Sequence, residues 1–124
     1  MYEFLLVFAG AGLGGALRHA ANILCLRTFG HNFPYGTLAV NVVGSFIMGL
    51  AIAWFALKAD PGQAWRLFLT TGILGGFTTF STFSLDAVSI WDRGEPALAA
   101  LYMGMSIGGG IAGLFAAMWI GRSL

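Results

Sequence analysis

Four apolar stretches divide the chain, at approximately 2–26, 35–57, 65–90 and 97–120, each long enough for a helix to cross about 30 Å of hydrocarbon. The connections between them, 27–34, 58–64 and 91–96, are short and hold the turn residues and most of the charges. Tyr2, Tyr35, Trp54, Trp65, Trp91 and Trp119 fall near segment ends, where an aromatic belt meets the bilayer surface. The pattern predicts an all-α membrane protein, a single four-span hairpin bundle, with the first stretch read as the first span rather than a cleaved leader.

Polar positions inside these stretches are few, and they are ordered. In the second, Thr37, Asn41 and Ser45 recur at i, i+4 and i+8, which stacks them into one stripe on an otherwise apolar helix. In the third, the run Thr70 to Asp86, TTGILGGFTTFSTFSLD, follows the glycine pair Gly75–Gly76 with hydroxyls from Thr78, Thr79, Ser81, Thr82 and Ser84, interleaved with phenylalanines. Each glycine weakens a helix by roughly 1 kcal/mol relative to alanine. The run therefore predicts a broken third helix, with the break at the glycines and a site beside it, because irregular backbone survives at membrane depth only where it is buried or lines a cavity. Projected at about 100° per residue from Thr78, Phe80 and Phe83 fall on one side and Ser81, Thr82, Leu85 and Asp86 on the other. In the fourth, Tyr102 and Ser106 are the well-embedded hydrogen-bonding side chains, one turn apart.

Composition and charge sharpen this picture. The 124 residues are 58% hydrophobic and 9% charged, against about 25% charged in soluble domains. A net charge of +1 predicts no nucleic acid or other polyanion as partner, and a lone cysteine, Cys25, is read as a lipid-facing or packing residue, with an intermolecular bridge as the alternative. Four spans send Lys58, Arg66 and Arg122 to one side and Arg27 and Arg93 to the other, so the positive-inside rule has little to act on. A chain that inserts both ways forms its simplest stable assembly as a dual-topology antiparallel homodimer. Glycine spacings such as Gly10-x-x-x-Gly14 in the first span, with Gly104, Gly108 and Gly113 in the fourth, allow close helix approach.

Individual residues carry two readings each. Arg18, inside the first span, is either a snorkelling or dimer-buttressing cation or an anion-attracting charge at a vestibule; His19 and Asn22 follow it at the interface. Asn41 is either interhelical glue or a donor to an anion. Phe80 and Phe83 are either packing residues or rings whose positive edges meet an anion. Asp86 is a functional candidate as an embedded carboxylate, or else a partner for Arg93 or Arg18. Tyr102 and Ser106 extend a polar path or hold helices together.

With these residues in place the chain resembles the Fluc/CrcB family of fluoride channels over essentially its whole length. The likeness is carried by Gly14-Gly15-Ala16-Leu17-Arg18, by Tyr35-Gly36-Thr37-Leu38-Ala39-Val40-Asn41, by Gly75-Gly76-Phe77-Thr78-Thr79-Phe80-Ser81-Thr82-Phe83-Ser84, and by the four-span length. The resemblance implies passive fluoride export through an antiparallel homodimer with two pores in a bacterial inner membrane. Phe80 and Phe83 would then be pore rings and Asn41 a donor, with Ser81, Thr82 and Tyr102 on a polar track. It also implies a structural sodium ion held by the carbonyls of Gly75 and Thr78 from both subunits. Many relatives carry glutamate where this chain has Asp86. Outside the family, the competing readings are a small dual-topology multidrug or cation exporter and a glycine-rich scaffold subunit. The first needs an embedded carboxylate in helix one, and Glu3 lies too near the terminus; the second leaves the hydroxyl and aromatic run unexplained. No nucleophile–base set, metal-ligand cluster or phosphate loop suggests an enzyme.

Overall fold

A computed structural model describes residues 1–57 and 61–124. Lys58, one of the charges weighed in the orientation count, lies outside the described residues. All regular structure among the described residues is helical. The first span is α1 (Tyr2–Phe29) and the second is α2 (Tyr35–Leu57). The third comprises α3 (Gln63–Leu67), a π-helical stretch (Phe68–Leu74), α4 (Gly75–Phe77) and α5 (Phe80–Asp92). The fourth is α6 (Pro96–Ser123). Among the described residues, four helical spans are long and apolar enough to cross a membrane. Their outer faces leave Phe4, Phe8, Phe115 and Trp119 exposed, as lipid contact demands.

Packing is organised by small residues, because acyl chains give helices no hydrophobic reason to associate and close van der Waals contact must do so instead. A side chain at Gly10 would meet the Phe68 carbonyl at 2.7 Å and Gly72 Cα at 2.9 Å. One at Gly14 would strike the Ile73 carbonyl oxygen, and one at Gly76 the Ala11 carbonyl oxygen. The backbones of α1 and the third span therefore touch directly. A second seam joins α2 to α6, where a Cβ at Gly49 would lie 2.6 Å from the Leu114 carbonyl and one at Gly121 would lie 2.5 Å from Ala53 Cβ.

The break in the third span does not fall at the glycine pair. Gly75 is helical, at φ −63° and ψ −38°, and the chain leaves the helix at Thr78 (φ −88°, ψ 159°) and Thr79 (φ −152°, ψ 122°). Gly75 and Gly76 are spent on closeness instead: Gly76 seats the span against α1. Before them the π-helical register persists to the Gly75 N–H, which donates to the Thr70 carbonyl. Projection from Thr78 as one continuous helix thus holds only from Phe80 onward.

At one end of the bundle, Gly94 (φ 84°) turns the chain from α5 into α6 in a conformation side chains rarely adopt. Arg93 pairs with Glu95 at 2.8 Å and donates to the Asn32 carbonyl at 3.1 Å, tying this turn to the α1–α2 connection. Beneath it, Ala87, Ile90, Ala99 and Tyr102 form a buried cluster with Phe33, Leu38 and Phe83 around it.

The α1 seam gives a direct expectation. Gly14→Ala forces two backbones apart and destabilises the protein by about 1–3 kcal/mol, the usual effect of overpacking. Gly12→Ala, where no atom lies within 4 Å, is much milder. Thermal unfolding in detergent compares them, and equal midpoints would refute the seam.

Candidate functional site

A span broken inside a bilayer strands backbone groups, each worth several kcal/mol if left unpaired. The helical ladder before the break ends where the Thr78 N–H donates to the Leu74 carbonyl at 3.0 Å, with Thr78 Oγ1 donating to the same oxygen. Thr79 is then captured from across the bundle. Asn41 Nδ2 donates to the Thr79 carbonyl at 2.9 Å, while Asn41 Oδ1 accepts from the Thr79 N–H at 2.7 Å. The amide plane thus replaces a neighbouring strand. Thr79 also caps α5: its hydroxyl accepts from the Thr82 N–H at 3.2 Å.

Carbonyls at the break lose their ordinary donors four residues on. The Thr79 N–H, which would have met Gly75, goes to Asn41, and the Thr82 N–H, which would have met Thr78, goes to Thr79 Oγ1. The Gly76 carbonyl accepts from Arg18 Nε at 3.0 Å. Arg18 is half-buried and turns inward to this carbonyl, a buttress within its own chain. Among the described residues no cluster of three His, Cys, Asp or Glu side chains exists. The Gly75 and Thr78 carbonyls, left without their ordinary donors, are oxygens near the negative end of a helical segment.

Two cavities flank the start of α5. One, of about 310 Å³, is lined by Asn41, Gly44, Ser45, Thr79, Phe80, Phe83 and Ser106, among others. The positive end of the α5 dipole stands beside it, since Thr79 and Phe80 begin that helix. Ser106 Oγ is buried and makes no hydrogen bond among the described residues. The other cavity, of about 320 Å³, opens toward the α1–α2 connection and is lined by Asn22, His31, Thr37, Thr82, Asp86 and Arg93, among others. The polar stripe of α2 spans both, with Thr37 in one and Asn41 and Ser45 in the other. From Thr37 to Ser45 is about 12 Å of helix rise.

Aromatic rings connect the two. Phe80 and Phe83 lie 5.7 Å apart, Phe83 lies 5.4 Å from Tyr102, and Tyr102 Oη donates to Asp86 Oδ2 at 3.1 Å. Asp86 therefore pairs with neither Arg93, which takes Glu95, nor Arg18, which takes Gly76. Phe80 is 79% exposed on the single chain, whereas Tyr102 is fully buried. Ser81 stands apart, exposed, with its hydroxyl 3.4 Å from Thr79 Oγ1. Thr79 is the residue that pattern reading passed over as a centre. A threonine opening a helix after an interruption is an N-cap signal that would have found it.

A family model for CrcB-like protein, Camphor Resistance (CrcB), matches residues 5–121. The chain belongs to the CrcB family. It is 56% identical to a protein of Methylobacterium nodulans named fluoride-specific ion channel FluC, over 98% of each chain. It is 50% identical to fluoride-specific ion channel FluC 2 of Nitrobacter hamburgensis over 98% of each, and 49% identical to FluC of Granulibacter bethesdensis over 100% of this chain and 98% of the other. This CrcB chain is accordingly a multi-pass membrane protein.

The Asn41 clamp is open to measurement. Asn41→Leu leaves the Thr79 N–H and carbonyl unpaired, each at about 1–3 kcal/mol. The Thr79 amide should then exchange hydrogen at least tenfold faster (roughly 1.4 kcal/mol per decade) and the melting temperature in detergent should fall. Unchanged exchange at Thr79 would overturn the clamp.

Proposed function

We propose that this CrcB chain is a fluoride-selective channel, working as an antiparallel homodimer in a bacterial inner membrane and lowering cytoplasmic fluoride by passive export. The observation that carries the reading is the convergence of Asn41, Phe80, Phe83 and the unpartnered Ser106 hydroxyl on one cavity at the positive start of α5. The names of its relatives supply the ion.

Fluoride is small and tightly hydrated, so its path must replace water contact by contact with short, rigid donors, and yet bind weakly enough for release. Asn41 keeps a second Nδ2 hydrogen beyond the one given to Thr79. The edges of Phe80 and Phe83 add positive quadrupole without a mobile charge that would trap the ion. Thr82 and Tyr102 continue the track toward the second cavity, and Ser81 lies at its approach. The Tyr102 hydroxyl is turned to Asp86, so fluoride reaching it competes with a carboxylate one methylene shorter than glutamate. An inside-negative potential drives the anion outward with about 2.3 kcal/mol per 100 mV and no coupled energy source.

A structural sodium ion fits the break. The Gly75 and Thr78 carbonyls of both subunits would hold it, and Arg18 keeps the Gly76 carbonyl occupied beside them. Such an ion would supply a fixed positive charge at the break. The exposed Phe80 gains cover in the same assembly.

Liposomes loaded with fluoride or chloride at equal gradients test the channel directly: fluoride should empty rapidly and chloride negligibly, and a folded dimer that releases neither would defeat the reading. Phe80→Ile and Phe83→Ile should each slow fluoride efflux by roughly tenfold or more, about 1.4 kcal/mol on the barrier, with the dimer intact. Equal flux in both variants would remove the rings from the mechanism. Exchanging sodium for a large organic cation during purification should lower the thermal stability of the dimer; a midpoint insensitive to the cation would remove the sodium.

A further inference from the structure

We infer that Gly44 is a positioning residue for conduction, setting where the broken third span seats against α2. Its missing side chain makes room for the break. A Cβ built at Gly44 would overlap Thr78 Cγ2 and would lie 3.3 Å from Phe77 Cδ2. Gly44 is buried, one helical turn from Asn41, and lines the same cavity as Asn41, Thr78, Thr79, Phe80 and Phe83.

The Thr78 methyl has little freedom to escape. The residue is β-branched and stiff about its first side-chain torsion. Its other branch, Oγ1, is committed to the Leu74 carbonyl at 3.0 Å, so rotating the methyl away gives up that hydrogen bond. What yields instead is the backbone of Thr78, and Thr79 is the next residue, held by Asn41 through contacts of 2.7 and 2.9 Å. Pushing Thr78 off α2 therefore stretches the clamp and carries Phe80 with it. Glycine at position 44 and asparagine at position 41 act as one device on α2, the first admitting the break and the second gripping it.

This inference rests on the channel reading, and its test separates the two. Fluoride efflux from liposomes is compared for the unaltered protein, Gly44→Ala, and Gly44→Ala combined with Thr78→Ser. Serine keeps the hydroxyl that donates to Leu74 and removes the methyl that a Cβ at position 44 would strike. Gly44→Ala should slow fluoride efflux by about tenfold or more, the effect of roughly 1.4 kcal/mol on a barrier. The double variant should recover most of that loss. Gly49→Ala crowds α2 against the Leu114 carbonyl of α6 at 2.6 Å rather than against the break, and Thr78→Ser should not rescue it. Should Gly44→Ala fail to assemble, the double variant decides the matter: a folded, conducting double variant supports the role, and one that neither assembles nor conducts overturns it. Wild-type efflux from Gly44→Ala, or a double variant no faster than Gly44→Ala, would likewise overturn it. Absence of flux from the unaltered protein would instead strike at the channel itself.

Discussion

The structure depends on one constraint: backbone hydrogen-bonding groups stranded inside hydrocarbon must find partners within the protein. Most of the chain meets it by staying helical. The third span does not, and at Thr78 and Thr79 it leaves donors and acceptors that only other helices can reach. Asn41 from α2 answers both polar groups of Thr79, and Arg18 from α1 answers the Gly76 carbonyl. Two expensive embedded side chains are thereby explained by the expense of the break itself.

Small residues make those answers geometrically available. An arginine on α1 reaches a carbonyl in the third span only because Gly10, Gly14 and Gly76 let the two backbones touch, and an asparagine on α2 reaches Thr79 only because Gly44 admits Thr78 beside it. A break stabilised in this way holds a fixed geometry, which is what a narrow path for a strongly hydrated ion demands. The same rearrangement places the start of α5, Phe80 and Phe83 at one cavity while Thr82 and Asp86 line another. The interruption thus produces both the structural problem and the candidate site.

The two-faced character of α5 was visible as spacing, because 3.6-residue periodicity separates Phe80 and Phe83 from Thr82 and Asp86 without knowledge of any neighbour. The location of the break was not. Glycine propensity pointed to Gly75 and Gly76, but roughly 1 kcal/mol each is a small bias, and close contact with α1 holds Gly76 in the helix. Nor could spacing choose a partner for Asp86, since Arg93 and Arg18 were as plausible by sequence distance as Tyr102. Which groups face each other across helices is a property of packing.

Hydrophobic runs by themselves determined four membrane-crossing segments, an interrupted third one, and the polar stripe of Thr37, Asn41 and Ser45, because span length, backbone satisfaction and helical periodicity are local requirements. Tertiary structure alone decided that Asn41 and Arg18 hold the break, and that Gly44 leaves it room. Those contacts join residues 38 and 58 positions apart in the chain, and no local preference specifies them; they follow from how closely the helices can approach.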